Sequence, residues 1–369
     1  MDNKHFIDYF YQQWLEKGPI PFVDFMQAAL YAPNIGYYCS GLPILGQAGD
    51  FVTAPELTPL FGGTLAHQCM PILADLDNPV LFEFGAGSGR LCVDVLKQLQ
   101  QLNQLPDDYV ILEVSGHLKA RQQALIAQEI PELLSRVKWL TQWPEKPFNG
   151  VVLANEVLDA MPVHRFLQTD KGFWESYVGF NAAHELEEQF KPCINERLIA
   201  YLNTVLPREQ NPYVSEANLY LEDWLQHCFD MLKRGAVLII DYGFPRYEYY
   251  HPDRNQGTLM CHYQHQTHPD FLAHPGEQDI TAHVDFTHVA EAADKAGFRV
   301  AGFTNQAAFL LNNGLLQWVK KSPNHPCLDK VKRLIQPHEM GELFKVIALT
   351  KQYDNPLIGF QFNDKRASL

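Results

Sequence analysis

The chain has 369 residues, 46% of them hydrophobic, and can bury a large core as one elaborated domain or two ordinary ones. Its formal net charge of -14 disfavours nucleic acid as the main substrate, because a protein that neutralises phosphates brings Lys and Arg to them. No stretch approaches the roughly eighteen apolar residues of a membrane-spanning helix, so membrane insertion is not expected. The opening Met1-Asp2-Asn3-Lys4 reads as neither a signal nor an Arg-rich transit peptide, and the expected location is cytoplasmic.

Residues 1–75 are expected to form an N-terminal helical extension. It carries Gly49-Asp50-Phe51-Val52-Thr53-Ala54-Pro55-Glu56, a composition that predicts a rigid polar loop able to close over a ligand. Asn78 and Pro79 then release an apolar run, Val80–Phe84, which passes through Gly85-Ala86-Gly87-Ser88-Gly89 into a stretch where Leu91, Val95, Leu99 and Leu102 recur at helical spacing. This is strand, glycine turn and helix, with Ser88 placed to cap the first turn. A second strand over 109–112 stops at Glu113, followed by a helix over 118–130 and a strand over 137–140. A buried strand over 150–154 ends at Asn155-Glu156. A helix over 219–233 feeds a strand over 236–240, which ends at Asp241-Tyr242-Gly243. Toward the C-terminus 286–296 reads as helix, 298–304 as extended and 344–350 as a last strand.

Strands alternating with helices imply a mainly parallel sheet with both faces covered. The expected fold is α/β: a Rossmann-like seven-stranded sheet over 76–350 with a C-terminal tail over 351–369. Insertions are expected at about 165–215, opening as a hairpin and helix, at 244–283 and at 307–338. Additions at the carboxyl ends of parallel strands build substrate pockets.

The glycine turn lets the backbone approach a ligand closely, and the helix after it presents unpaired N–H groups. Its third glycine, Gly89, comes one residue too early for the dinucleotide pattern, whose position is held by Arg90; this favours an adenosyl ligand without a pyrophosphate. Glu113 ends the next strand about twenty residues on, where a carboxylate can accept from both ribose hydroxyls. Asn155 and Glu156 end the fourth strand and should reach the same crevice. His283 and Asp285 share one side of an extended segment, which brings imidazole and carboxylate together. Each feature also has an ordinary structural reading: a plain turn, a surface carboxylate, a helix cap, a satisfied pair. The seven cysteines never form a C-x-x-C pair, and Cys261, His262, His265, His268 and His274 match no zinc-ligand spacing, so neither disulfides nor a metal are expected.

The run Glu83 to Gly89, the acidic end of the second strand and the seven-strand layout resemble the class I S-adenosylmethionine-dependent methyltransferases. Residues 49–56, Asn155-Glu156-Val157-Leu158-Asp159-Ala160-Met161-Pro162-Val163 and Asp279-Ile280-Thr281-Ala282-His283-Val284-Asp285-Phe286 resemble the MidA family within them. The resemblance implies S-adenosylmethionine as cofactor, held by Thr53, Pro55, Glu56, Glu83, Gly85, Gly87, Gly89, Glu113, Asn155 and Glu156. It also implies a protein arginine N-methyltransferase acting on a protein substrate, with an NADH dehydrogenase subunit of respiratory complex I as the acceptor known in the family. A guanidinium acceptor calls for carboxylates that grip it bidentately; Glu156 and Asp159 are the candidates, with Asp50 or Glu56 in support and His283 as a further catalytic group. The residues themselves leave open a cofactor-binding assembly factor without catalysis, a small-molecule methyltransferase and an NAD-dependent dehydrogenase.

Overall fold

A computed structural model describes residues 4–41, 53–206, 212–321 and 328–369. The chain divides into two compact units. The larger holds Val52–Leu158, Glu222–Pro245 and Asp285–Leu369; the smaller holds Met1–Phe51, Asp159–Leu221 and Arg246–Val284.

The larger unit is built on strands β1 (Val80–Phe84), β2 (Asp108–Leu112), β3 (Val137–Leu140), β4 (Phe148–Asn155), β5 (Leu232–Phe244), β6 (Arg299–Asn305) and β7 (Phe344–Lys351). Among the described residues the sheet's path runs β6-β7-β5-β4-β1-β2-β3. All neighbours from β5 to β3 are parallel, and β7 is antiparallel to both β5 and β6. This is the Rossmann-like layout expected. The centres of β4 and β5, Val151 to Ala154 and Ala236 to Ile240, are buried throughout, which is why both read as continuous apolar runs and not as alternating strands.

Register decides where the chemistry goes. Phe84 pairs with Leu112 on one side and Ala154 on the other, and Asn155 pairs with Ile240. The carboxyl ends of β1, β2, β4 and β5 therefore finish along one edge. Strand order reverses between β1 and β4, the place where open α/β sheets leave a crevice for a ligand.

Helix Pro59–Ala74 belongs to this unit and not to a separate N-terminal extension. It packs on helix Arg90–Gln101 so closely that a Cβ on Gly62 would lie 2.7 Å from the Cβ of Asp94. Gly62 makes that approach possible, whereas a Cβ on Gly63 would meet only ordinary contacts with Gln98.

The smaller unit centres on an antiparallel sheet of Ile20–Pro21, Gly172–Phe180, His164–Thr169 and Tyr213–Ala217, with Leu186–Pro192 added against Gly172–Phe180. The expected hairpin is thus a run of three strands before helix Glu196–Val205. The second reversal is made by Asn181, whose Oδ1 accepts from the N–H groups of Ala183 (2.8 Å) and Glu185 (3.0 Å), with His184 at φ +59°. Phe10 of helix Lys4–Lys17 packs on Phe25 (5.3 Å between ring centroids) and Phe180 (5.6 Å), which joins the first two helices to the sheet. No helix among the described residues is long and apolar enough to cross a membrane.

Candidate active site

The bend after β1 is strained for any residue but glycine: Gly85, Gly87 and Gly89 stand at φ +56°, +54° and +88°. Gly89, not Ser88, is the N-cap of helix Arg90–Gln101. Ser88 acts one position earlier: its Oγ accepts from Arg90 N–H (3.2 Å) and donates to the Glu56 carboxylate. The helix N-terminus, with its unpaired N–H groups, opens at this bend.

Glu113, at the end of β2, is 5% exposed and held from two sides. Its Oε1 accepts from Ser115 N–H (2.8 Å) and its Oε2 from the Gln122 amide (2.9 Å). Burial pushes its pKa above the usual carboxylate value, and these hydrogen bonds draw it partly back. Each oxygen keeps a lone pair for a ligand hydroxyl. Gln122 also donates to Gly87 O (3.0 Å), so one side chain ties the glycine bend to the carboxylate. Sequence reasoning missed Gln122, because nothing in the spacing of its helix distinguishes it.

At the end of β4 the chain turns sharply. Glu156 adopts φ +53°, a left-handed conformation that costs a non-glycine residue about 1–2 kcal/mol. Asp241, fully buried at the end of β5, stabilises this turn: its Oδ2 accepts from the N–H groups of Val157 (3.2 Å) and Leu158 (2.9 Å). Asn155 Nδ2 donates to Glu156 Oε1 (3.2 Å), while Asn155 Oδ1 is buried and accepts no hydrogen bond among the described residues. A buried acceptor without a donor is costly unless a ligand supplies one. The positive-φ glycines, the spare lone pairs of Glu113 and this orphaned acceptor fit an adenosyl amino acid, which offers a ribose diol and an amine.

The other sequence candidates are placed as follows. Asp50 lies outside the described residues. Thr53 is the extended N-cap of a one-turn helix, Ala54–Leu57, so the expected loop is helical at this end. Pro55, in the first turn, presets the helical φ, which the loop composition concealed. Glu56 reaches Ser88 at the glycine bend.

Glu83 is 3% exposed inside the sheet and accepts from Tyr109 Oη (2.7 Å). Burial pushes its pKa up to about 7. A carboxyl whose folded pKa lies above its unfolded value of 4.5 weakens the fold as pH rises from about 4.5 through 7. Glu83→Gln should therefore be more stable than the parent at pH 8, by roughly 3 kcal/mol, and similar to it near pH 4.5. Urea midpoints at the two pH values measure this, and an equal difference at both would refute it.

Asp159 and His283 belong to the smaller unit. Asp159 is buried and its carbonyl accepts from Ala282 N–H (2.9 Å). His283 Nδ1 lies 3.3 Å from Thr258 O. Asp285 is the N-cap of helix Phe286–Ala296, accepting from the N–H groups of Thr287 (3.0 Å) and His288 (3.1 Å).

Known proteins resemble this chain. Residues 64–304 match the model of a family described as S-adenosyl-L-methionine-dependent methyltransferase. A Mus musculus protein named protein arginine methyltransferase NDUFAF7, mitochondrial, is 30% identical over 90% of this chain and 81% of its own. A Drosophila melanogaster homolog of that name is 28% identical over 94% and 86%. A crystal structure from Burkholderia thailandensis, bound to S-adenosyl-homocysteine, superposes with a TM-score of 0.94 at 39% identity, covering 100% of this chain and 97% of that one. The names of the curated relatives correct one expectation: they are mitochondrial proteins, and the cytoplasmic location read from the opening residues is withdrawn. With the sheet order in agreement with these likenesses, the chain belongs to this methyltransferase family and uses S-adenosylmethionine.

Proposed function

We propose that this methyltransferase is a protein arginine N-methyltransferase, and that its acceptor is an arginine of a protein assembled into a respiratory NADH dehydrogenase. The observation that carries the reading is Glu156: a carboxylate held in a strained left-handed turn, at the end of β4, beside the glycine bend that ends β1. Strain of this kind persists where the surrounding structure over-determines it, and it concentrates at functional sites. The names of the curated relatives support the same acceptor class.

When bound, S-adenosylmethionine supplies a sulfonium-activated methyl group, and S-adenosylhomocysteine is left once an acceptor nitrogen has taken that methyl and released a proton. Glu113 would hold the ribose hydroxyls. Asn155 Oδ1 would accept from the amine. Glu156 accepts from two guanidinium N–H groups at once, which fixes the plane of the acceptor and directs one nitrogen toward the methyl.

The test is incubation with methyl-labelled S-adenosylmethionine and a cell extract, followed by acid hydrolysis of the protein fraction. Label should appear as methylarginine. Label in small molecules alone would replace the reading with a small-molecule methyltransferase, and cofactor binding without any transfer would replace it with a non-catalytic assembly factor.

A further inference from the structure

Gln122 lies in helix Gly116–Glu129 and is fully buried. Its Oε1 accepts from the indole Nε1 of Trp139 (3.0 Å), and its Nε2 donates to Gly87 O (3.0 Å) and Glu113 Oε2 (2.9 Å). An indole N–H only donates; a carbonyl and an ionised carboxylate only accept. Just one orientation of the amide satisfies all three partners. The flipped amide would set its oxygen against two acceptors and its N–H groups against the indole donor. Trp139 therefore dictates which way Gln122 faces.

We infer that Gln122 is the positioning residue of the cofactor site, fixing the Glu113 carboxylate against the glycine bend, with Trp139 fixing Gln122. Both amide hydrogens are engaged, so Gln122 acts through Glu113 and not by touching the ligand. Packing reinforces the link. A Cβ on Gly89 would lie 3.3 Å from the Gln122 Cα, so the helix that carries Gln122 rests directly on a second glycine of the bend. The two ligand-binding elements lie on separate strands, and a carboxylate on a freely rotating side chain would lose entropy on binding that this clamp has already removed.

The experiment is calorimetric titration with S-adenosylhomocysteine, alongside thermal melts. Gln122→Ala should raise Kd about ten- to a hundredfold, more than any change in Tm would explain, because Glu113 loses both a donor and its orientation. Gln122→Glu sets two carboxylates face to face, and they bind well only when they share a proton. Its affinity should recover as pH falls from 8 to 6, opposite in sign to the wild type. Gln122→Ala with Kd within about twofold of wild type, or a Gln122→Glu deficit independent of pH, would overturn the inference. Should Gln122→Ala fail to fold, Trp139→Phe decides: an affinity loss of about threefold or more supports the clamp, and an unchanged Kd refutes it.

Discussion

Replacing Glu113 with alanine should weaken S-adenosylhomocysteine binding by about two to four orders of magnitude, since the two charge-assisted hydrogen bonds proposed to a ribose diol would contribute roughly 1.5–3 kcal/mol each. The loss should be selective. Glu113 lies at the carboxyl end of β2, past the last paired residue Leu112, so the sheet register does not depend on its side chain. The ionised form is the one that accepts from hydroxyls, and burial raises its pKa above 4.5. Wild-type affinity should thus decline on acidification, beginning above pH 4.5, and that decline should be absent in Glu113→Gln. Calorimetry from pH 8 to 5 reads both effects. Retention of wild-type affinity in Glu113→Ala would remove the adenosine crevice from the account of this protein.

How much of this was visible beforehand follows the range of the interactions. The glycine bend and the carboxylate ending β2 were legible because each is a local event: a strand must stop, and the residue at its end faces the sheet edge. Leu91, Val95 and Leu99 announced their helix because large apolar side chains recur in it at helical spacing, although its burial extends well beyond that stripe to Cys92, Val93 and Asp94. Gln122 was not legible. Its three partners come from three other segments, and a polar residue in a helix has no periodic signature that separates a clamp from a solvated face. Asp241 was noticed only as the end of a strand; that it accepts from the turn at Val157 and Leu158 is a consequence of β4 and β5 lying side by side. The segment at Thr53 to Glu56 misled through composition, since a proline favours a loop and the first turn of a helix alike. The third strand of the smaller unit was hidden behind Asn181 and His184, whose turn depends on a side chain accepting from two backbone N–H groups.

Substitution of Glu156 should separate binding from turnover. If its carboxylate grips the acceptor, Glu156→Gln should lower kcat by two to three orders of magnitude, on the scale of other lost transition-state hydrogen-bond partners, and leave the Kd for S-adenosylhomocysteine within about threefold. The cofactor contacts proposed for Glu113 and the glycine bend are untouched by that change. Backbone strain provides a second, independent readout. At φ +53° alanine keeps a Cβ that clashes with the following carbonyl, and glycine does not. Glu156→Gly should therefore be more stable than Glu156→Ala by about 1 kcal/mol, the reverse of their order in a helix. Asp241→Asn, which keeps one acceptor oxygen but loses the charge facing two N–H groups, should loosen the same turn and lower kcat without abolishing it. A Glu156→Gln enzyme with full turnover on an arginine peptide would show that the strained carboxylate serves the fold alone and that the acceptor is held by other groups.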